Sequence, residues 1–489
     1  MEGDSAQKDD FHSQVLLLEN KIIESRKNYN SISTLLEYMR SASDQQKKDA
    51  AGIALCRVFC HLMATGSLDK SRDISGNEVI VVQWLKERYQ EYKTLLLQLL
   101  GRANIARQST ALTLSLQLVK AEKARLNTSD DAVLRTGLFA SLIRVLISET
   151  TTDETRKNFV RDYVDEFEDI RYYAFERLAD TSLSDTSESI LHNALVILVN
   201  IETTPEQQEK SKRFFDDPPS GAKLYFSTAL KTQAQKAWMA VLRNNLSKSQ
   251  RKTILGLMSH RIAPWFRNIE LLMDFLTDSF NLGGSISLIS ISGLFYLIQH
   301  KNLDYPQFYQ KLYSLLNSDI LHSRHRSRFF RLLDTFLAST HLPAVLVASF
   351  IKRLSRLTLN APPSAIVVVV PLIYNLLKNH PSCTFMIHRT RDIDQTEEGW
   401  GDPFLMEEPD PMDTDALESS LWEIHTLQTH YHPNAATIAK VISEQFTKHA
   451  YNLEDFLDHS YGTVSELFFL IICTLLILCR CLTRSSPRT

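Results

Sequence analysis

Residues 343–359 read PAVLVASFIKRLSRLTL. Pro343 suits a first helical turn, where its missing N–H leaves nothing unsatisfied. Leu346, Phe350, Leu354 and Leu357 recur at helical spacing and form one apolar stripe. Lys352, Arg353 and Arg356 fall largely off that stripe. Asn360-Ala361-Pro362-Pro363 ends the helix, since a residue before proline is pushed out of the helical region. The next run, Ala365 to Leu377, is apolar with Pro371 inside it. Its length and Leu-rich second half favour a kinked, buried helix over a buried strand.

The same pattern extends in both directions. Leu16, Leu17, Ile22 and Ile23 mark a first helix, and Ile53, Leu55, Val58, Phe59 and Leu62 another. Helices are predicted over Val79–Leu100, Ala111–Leu126, Ala132–Leu146 and Phe159–Leu178, and again from Lys223 to Ser339. The polar run Asp180–Ser187 has loop chemistry. Alternating strand pairs joined by Asn-Gly or Asp-Gly turns are missing from the sequence. Helices of this length joined by short loops predict an all-α chain, an irregular HEAT-like helical-repeat solenoid, with a compact bundle as the alternative. Pro205 and Asp216–Gly221 predict a linker at 201–221 between a helical-repeat region at 1–200 and a helical domain at 222–462. An acidic arm at 392–412 lies inside that domain, and an apolar tail follows at 463–489.

Composition agrees. The 489 residues are 44% hydrophobic and 23% charged, which excludes wholesale disorder. Fourteen Gly and fifteen Pro argue against a turn-rich β fold. Six cysteines are too few for a disulfide scaffold of this length, and the acidic, polar start predicts no secretory signal. The formal charge of −3 hides a segregation. Residues 221–361 carry 18 Lys/Arg against 6 Asp/Glu, whereas 392–439 carry 12 Asp/Glu and no Lys or Arg. The two segments either face each other within one fold or meet partners.

Catalytic patterns are scarce. Phosphate-cradling glycine loops, H-E-x-x-H and G-x-S-x-G are missing, so no enzyme and no catalytic, cofactor or metal residues are expected. Cys56 and Cys60 read as buried core rather than zinc ligands. His425, His430 and His432 read as helix-end residues, and Asp415 with Glu418 as an N-terminal cap. Asp392 and Asp394 offer too few ligands for a hard cation. Arg324, Arg326, Arg328 and Arg331, beside Phe329 and Phe330, form a candidate RNA-contact patch, weighed against a solvated helix face.

One stretch carries a resemblance. It begins Trp400-Gly401-Asp402-Pro403-Phe404, then Glu407-Glu408-Pro409-Asp410-Pro411. It continues through Asp413-Thr414-Asp415-Ala416-Leu417-Glu418-Ser419-Ser420-Leu421-Trp422-Glu423 to Thr429-His430-Tyr431-His432-Pro433. This resembles the hallmark of the CCAAT-binding-factor-type domain of nucleolar ribosome-assembly factors, and Gly283–Gly462 fits that domain. The resemblance implies a helical scaffold in the nucleus and nucleolus. It implies work with the small-subunit processome in 18S rRNA maturation, through a large nucleolar protein 14-type partner, with pre-rRNA contact as an alternative. The prolines make Asp402–Asp410 an extended arm in this reading. Phe404 and Met406 are its apolar anchors, Glu407, Glu408 and Asp410 its charges, and Trp422 a further partner-binding residue. A helix starting at Asp413 or Asp415 is predicted to bury Leu417, Leu421, Ile424 and Leu427. The competing reading folds the arm back onto the basic stretch 221–361. The chain departs from the family at Leu467–Cys479, an apolar run in place of a polar, basic tail. At 13 residues it is too short for a ~30 Å hydrocarbon core, which leaves nuclear-membrane association as a minor alternative.

Overall fold

A computed structural model describes residues 2–41, 45–68, 76–102, 104–126, 132–181, 187–205, 212–215, 223–301, 307–323, 326–388, 402–444, 446 and 449–457. It is all-α, and the described residues contain no strand beyond an isolated bridge between Phe167 and Lys212. The chain divides into two compact units, 1–275 and 276–489.

The first unit is a stack of helices that pack largely on their neighbours in sequence. It opens with Glu2–Glu24 (α1), Ser31–Ser41 (α2), Gln45–Ala64 (α3), Gly76–Arg102 (α4) and Ile105–Leu126 (α5). α3 lies at the centre of these, against α1, α2 and α5. Its Ala50, Ala51, Gly52 and Ala54 keep side chains small where helices meet, and the Tyr92 hydroxyl donates to the Gly52 carbonyl at 2.6 Å. Cys56 is buried there and Cys60 partly so, as the core reading expects.

Next come Ala132–Thr136 (α6), Leu138–Ile147 (α7), Asp153–Phe159 (α8), Glu168–Asp180 (α9) and Glu188–Asn200 (α10). Two of the predicted helices are thus interrupted. Gly137 separates α6 from α7, and a π-helical turn at Val160–Val164 precedes α9. Lys223–Leu242 (α11) and Lys248–Leu257 (α12) follow, and Met273–Asn281 (α13) spans the division between the units.

The described residues of the predicted linker at 201–221 are held by the helices before them. Asp165 accepts hydrogen bonds from the Glu202 and Thr203 amides and from the Thr203 hydroxyl. Asp169, buried, accepts from the Phe214 and Phe215 amides at 3.0 and 2.8 Å. The Phe214 ring meets Tyr163 and Phe167. Beyond it, α11 packs on α9 through Leu230, Ala234, Ala237, Trp238 and Val241. Residues 201–205 and 212–215 are therefore strapped onto the helices before them, and the first compact unit runs on to Phe275.

In the second unit, Gly284–Lys301 (α14), Phe308–Ser314 (α15), Ser318–His322 (α16) and Arg326–Leu337 (α17) lead to Ala344–Thr358 (α18) and Pro363–Asn379 (α19). α19 is buried from Ser364 to Leu377, with Pro371 inside it. Phe385–His388 (α20), Trp422–Leu427 (α21), Pro433–Lys440 (α22) and Glu454–Leu457 (α23) complete the unit. α18 and α22 both pack on α19.

Asp169→Ala is expected to lower stability by about 2–3 kcal/mol, because it strands amides that had a charged acceptor. Chemical denaturation reads the loss, and hydrogen exchange should quicken first at Phe214 and Phe215. Unchanged exchange there would show that the strap is held by ring packing instead.

Candidate functional site: a charged clamp beneath the acidic segment

α18 is apolar on the predicted stripe, with Leu346, Phe350 and Leu354 buried. The opposite side is covered as well. Ser349, Lys352, Ser355 and Thr358 are all buried, and the Lys352 side chain has no exposed surface. Segment 402–423 does the covering. The Ser349 hydroxyl bonds the Pro411 carbonyl and Thr414 hydroxyl, and the Arg353 guanidinium donates to the Leu316 and Met406 carbonyls. A short 3₁₀ turn at Ala416–Glu418 rests on α18, and the Leu421 amide donates to the Met386 carbonyl in α20.

At the centre is a cluster of two cations and two carboxylates. Lys352 Nζ lies 2.8 Å from Asp402 Oδ2, 2.6 Å from Glu423 Oε1 and 2.7 Å from the Ser420 carbonyl. The Ser420 carbonyl accepts a hydrogen bond from the ammonium, and the two carboxylates meet it as ion pairs. Arg356 reaches the same two carboxylates, at 2.5 Å from Asp402 and 2.7 Å from Glu423. Its guanidinium lies over the Trp422 ring, 4.7 Å from the centroid. The Trp422 indole N–H and the Ser419 hydroxyl donate to Asp402. Burial alone would raise the Asp402 carboxyl, but Lys352, Ser419 and Trp422 hold it well below the usual carboxylate range. For Glu423 burial wins and pushes the carboxyl up, against the pull of Lys352 and Arg356.

This arrangement corrects the free arm for its described part. Phe404 is 6% exposed and Met406 half-buried. Both line a cleft of about 400 Å³ together with Leu321, His322, Arg356 and Leu357. Glu407 is exposed. Glu408 and Asp410 accept backbone amides two residues ahead, from Asp410 and Met412. Trp422 is 41% exposed although its indole N–H is used. Leu405 and Met412, which the sequence did not single out, are 51% and 44% exposed. Residues 392–401 lie outside the described residues. The predicted helix start is corrected too. Asp415 sits at φ 53° without a side-chain cap bond, and the helix begins only at Trp422, with Leu417 half-buried.

The arginine patch is dispersed. Arg326 is buried and donates to the Ser364 hydroxyl, while Arg331 forms a two-pronged ion pair with Glu454. Of the three described, Arg328 alone is exposed with no ion-pair partner among the described residues; Arg324 lies outside the described residues. His425 is in the last turn of α21 and His432 precedes Pro433 at the start of α22. Among the described residues, no group of three His, Cys, Asp or Glu converges as a metal site.

Lys352→Met is expected to cost about 3–5 kcal/mol, because it leaves carboxylates buried without their cation. Adding Glu423→Leu to Lys352→Met should recover much of that loss, as an apolar substitute removes the stranded charge. The lowered Asp402 predicts a sign with pH. Its contribution is fully present above the ordinary Asp value of about 4 and fades as pH falls through the lower folded value. The stability gap between wild type and Asp402→Asn, read by denaturation over this range, should therefore shrink on acidification; a constant gap would assign the clamp to packing.

Two family models match the chain. "Nucleolar complex protein 4-like, TPR repeats" covers residues 4–188, and "CBF/Mak21 family" covers 287–439. An uncharacterized protein of Schizosaccharomyces pombe is 40% identical over 466 residues, covering 92% of this chain and 93% of its own. Nucleolar complex protein 4 of Saccharomyces cerevisiae is 35% identical over 490 residues, covering 90% and 88%. The nucleolar complex protein 4 homolog of Danio rerio is 32% identical over 459 residues, covering 89% and 86%. The similarity runs through both units and includes the clamp, and the chain belongs to the nucleolar complex protein 4 family.

Proposed function

We propose that this chain is a non-enzymatic scaffold of ribosome assembly in the nucleolus, acting in small-subunit maturation and docking a nucleolar protein 14-type partner on segment 402–427. One observation carries the reading. The clamp fixes an acidic backbone segment over α18 so that Leu405, Met412 and Trp422 stand out from it beside Glu407. A surface held in place before binding loses little entropy on association. The absence of Lys and Arg from 392–439 favours a basic partner, and the cleft beside Phe404 and Met406 suits an apolar side chain from it. The Lys, Arg, Asp and Glu that could be mistaken for a catalytic group neutralise one another within the clamp. The relatives' names support a nucleolar site of action. Among the described residues no helix is long and apolar enough to cross a membrane, and Leu467–Cys479 lies outside them.

The roles within the segment now separate. Leu405→Ala with Met412→Ala should weaken partner capture about tenfold or more without moving the melting temperature, as removal of two interface anchors does. Phe404→Ala should lower the melting temperature by several degrees, since it empties a buried site. Loss of capture only in variants that also melt early would remove the docking role. Depletion of the protein should raise unprocessed small-subunit rRNA precursors and spare those of the large subunit, read on pulse-labelled RNA; the reverse pattern would overturn the small-subunit assignment.

A further inference from the structure

Both family models leave out residues 189–286, and this interval contains a strongly one-sided basic run. From Lys223 to Ile269 there are nine Lys/Arg and no Asp or Glu. Most of these residues belong to α11, α12 and the short turn between them. Lys236, Arg243, Lys248, Lys252 and Arg267 are exposed. None of the five side chains has a carboxylate partner among the described residues, whereas Arg261 is turned to Glu202 and Arg251 covers the Phe275 ring.

The five sit on neighbouring stretches of backbone. Lys236 and Arg243 are seven residues apart, two turns on one face of α11, opposite the buried Ala234, Ala237 and Val241. Lys248 and Lys252 are one turn apart on α12. A tight turn joins the helices. The Asn244 amide donates to the Ala240 carbonyl, and Ser247 with Gln250 forms a capping box. Arg243 and Lys248 flank that turn. Gln235 accepts the backbone amides of Arg267 and Asn268 at 3.0 and 3.2 Å, which holds the Arg267 backbone against α11. Arg267, Lys236, Arg243, Lys248 and Lys252 are thus exposed cations along α11, the turn, α12 and the backbone held on α11, a cationic strip with Asn245, Ser249, Thr253 and Asn268 exposed among them.

What the strip lacks selects its ligand. Among the described residues between 106 and 281 no large apolar side chain is exposed, so the strip has no anchors of the kind that carry protein interfaces, or that enter a membrane. Trp238, Trp265 and Phe266 are buried, so the described part offers no aromatic platform for unpaired bases. Cations with Asn, Ser and Thr are the set that contacts phosphate and sugar. We infer that the α11–α12 strip binds the phosphate backbone of double-helical RNA, by shape and charge and without reading sequence. This stands on the first unit and does not depend on the partner docking proposed for the second.

The test uses the full chain and a 20-base-pair RNA duplex, its separated strand and polyglutamate, with affinity measured across a salt series. Wild type should bind the duplex with a log–log salt slope of roughly 4, one contact per cation, losing a few hundredfold between about 50 and 200 mM salt. Replacing Lys236, Arg243, Lys248, Lys252 and Arg267 together by Gln should weaken duplex binding at least about tenfold at 0.1 M salt and flatten the slope. Lys248→Glu gives a second reading. It places an anion in the first turn of α12, which the helix dipole favours, so affinity should fall while the melting temperature holds or rises. Arg243→Lys with Arg267→Lys should keep most of the binding, because charge and not a fork geometry is at work. Undiminished duplex binding in the Gln and Glu variants would overturn the inference. Tighter binding to the separated strand, or stronger and equally strip-dependent capture of polyglutamate, would overturn the duplex and the RNA assignments respectively.

Discussion

A single ammonium group determines how the second unit is put together. Lys352 has no exposed side-chain surface, and an isolated cation there would cost several kcal/mol. It is tolerable only because Asp402, Glu423 and the Ser420 carbonyl surround it. Those three oxygens come from both ends of a 22-residue stretch. Satisfying one side chain therefore fixes the path of the whole segment across α18, and with it which residues face out. Apolar packing alone, being non-directional, would hold the segment down without fixing its register. The ion cluster supplies the direction, and Trp422, shared between Asp402 and Arg356, fixes the entry to α21.

The first unit uses the same device more lightly. Asp165 and Asp169 face segments 202–203 and 214–215 and take up their amides, so a stretch rich in loop residues becomes part of the packed unit. In both units a carboxylate that accepts from another segment decides where an irregular stretch of backbone lies.

Much of the helical architecture was legible because apolar spacing reports it directly. The helix through Leu346, Phe350 and Leu354 and the all-buried one after Pro362 both follow from the sequence pattern. The clamp was less so. Periodicity assigns Lys352 to a polar side because it assumes that polar residues face water, and only the covering segment reverses that. Ser349, Ser355 and Thr358, small polar residues where long charged ones are usual, were the available sign that this side is covered. The excess of acid at 392–439 and the basic stretch before it left a fold-back and a partner contact as alternatives and named no pairs. Proline reports local backbone geometry and not how many contacts cross a segment, so nothing in the sequence marked the carboxylates that hold 202–203 and 214–215. The same holds for the arginine run. Helical rotation spreads Arg326, Arg328 and Arg331 over different faces, so Arg326 points inward and Arg331 meets Glu454.

The clamp also imposes an order on synthesis. Glu423 follows Lys352 by 71 residues, and Asp402 follows it by 50. At about 5–20 residues per second, Lys352 and the apolar α19 emerge several seconds before either carboxylate exists. During that interval α18 cannot bury its polar side, and α19 lacks the α22 surface that packs on it. The nascent second unit must wait as an open pair of helices. A chaperone that shields α19 while leaving Lys352 in water meets the needs of that interval, and the arrival of Glu423 closes it.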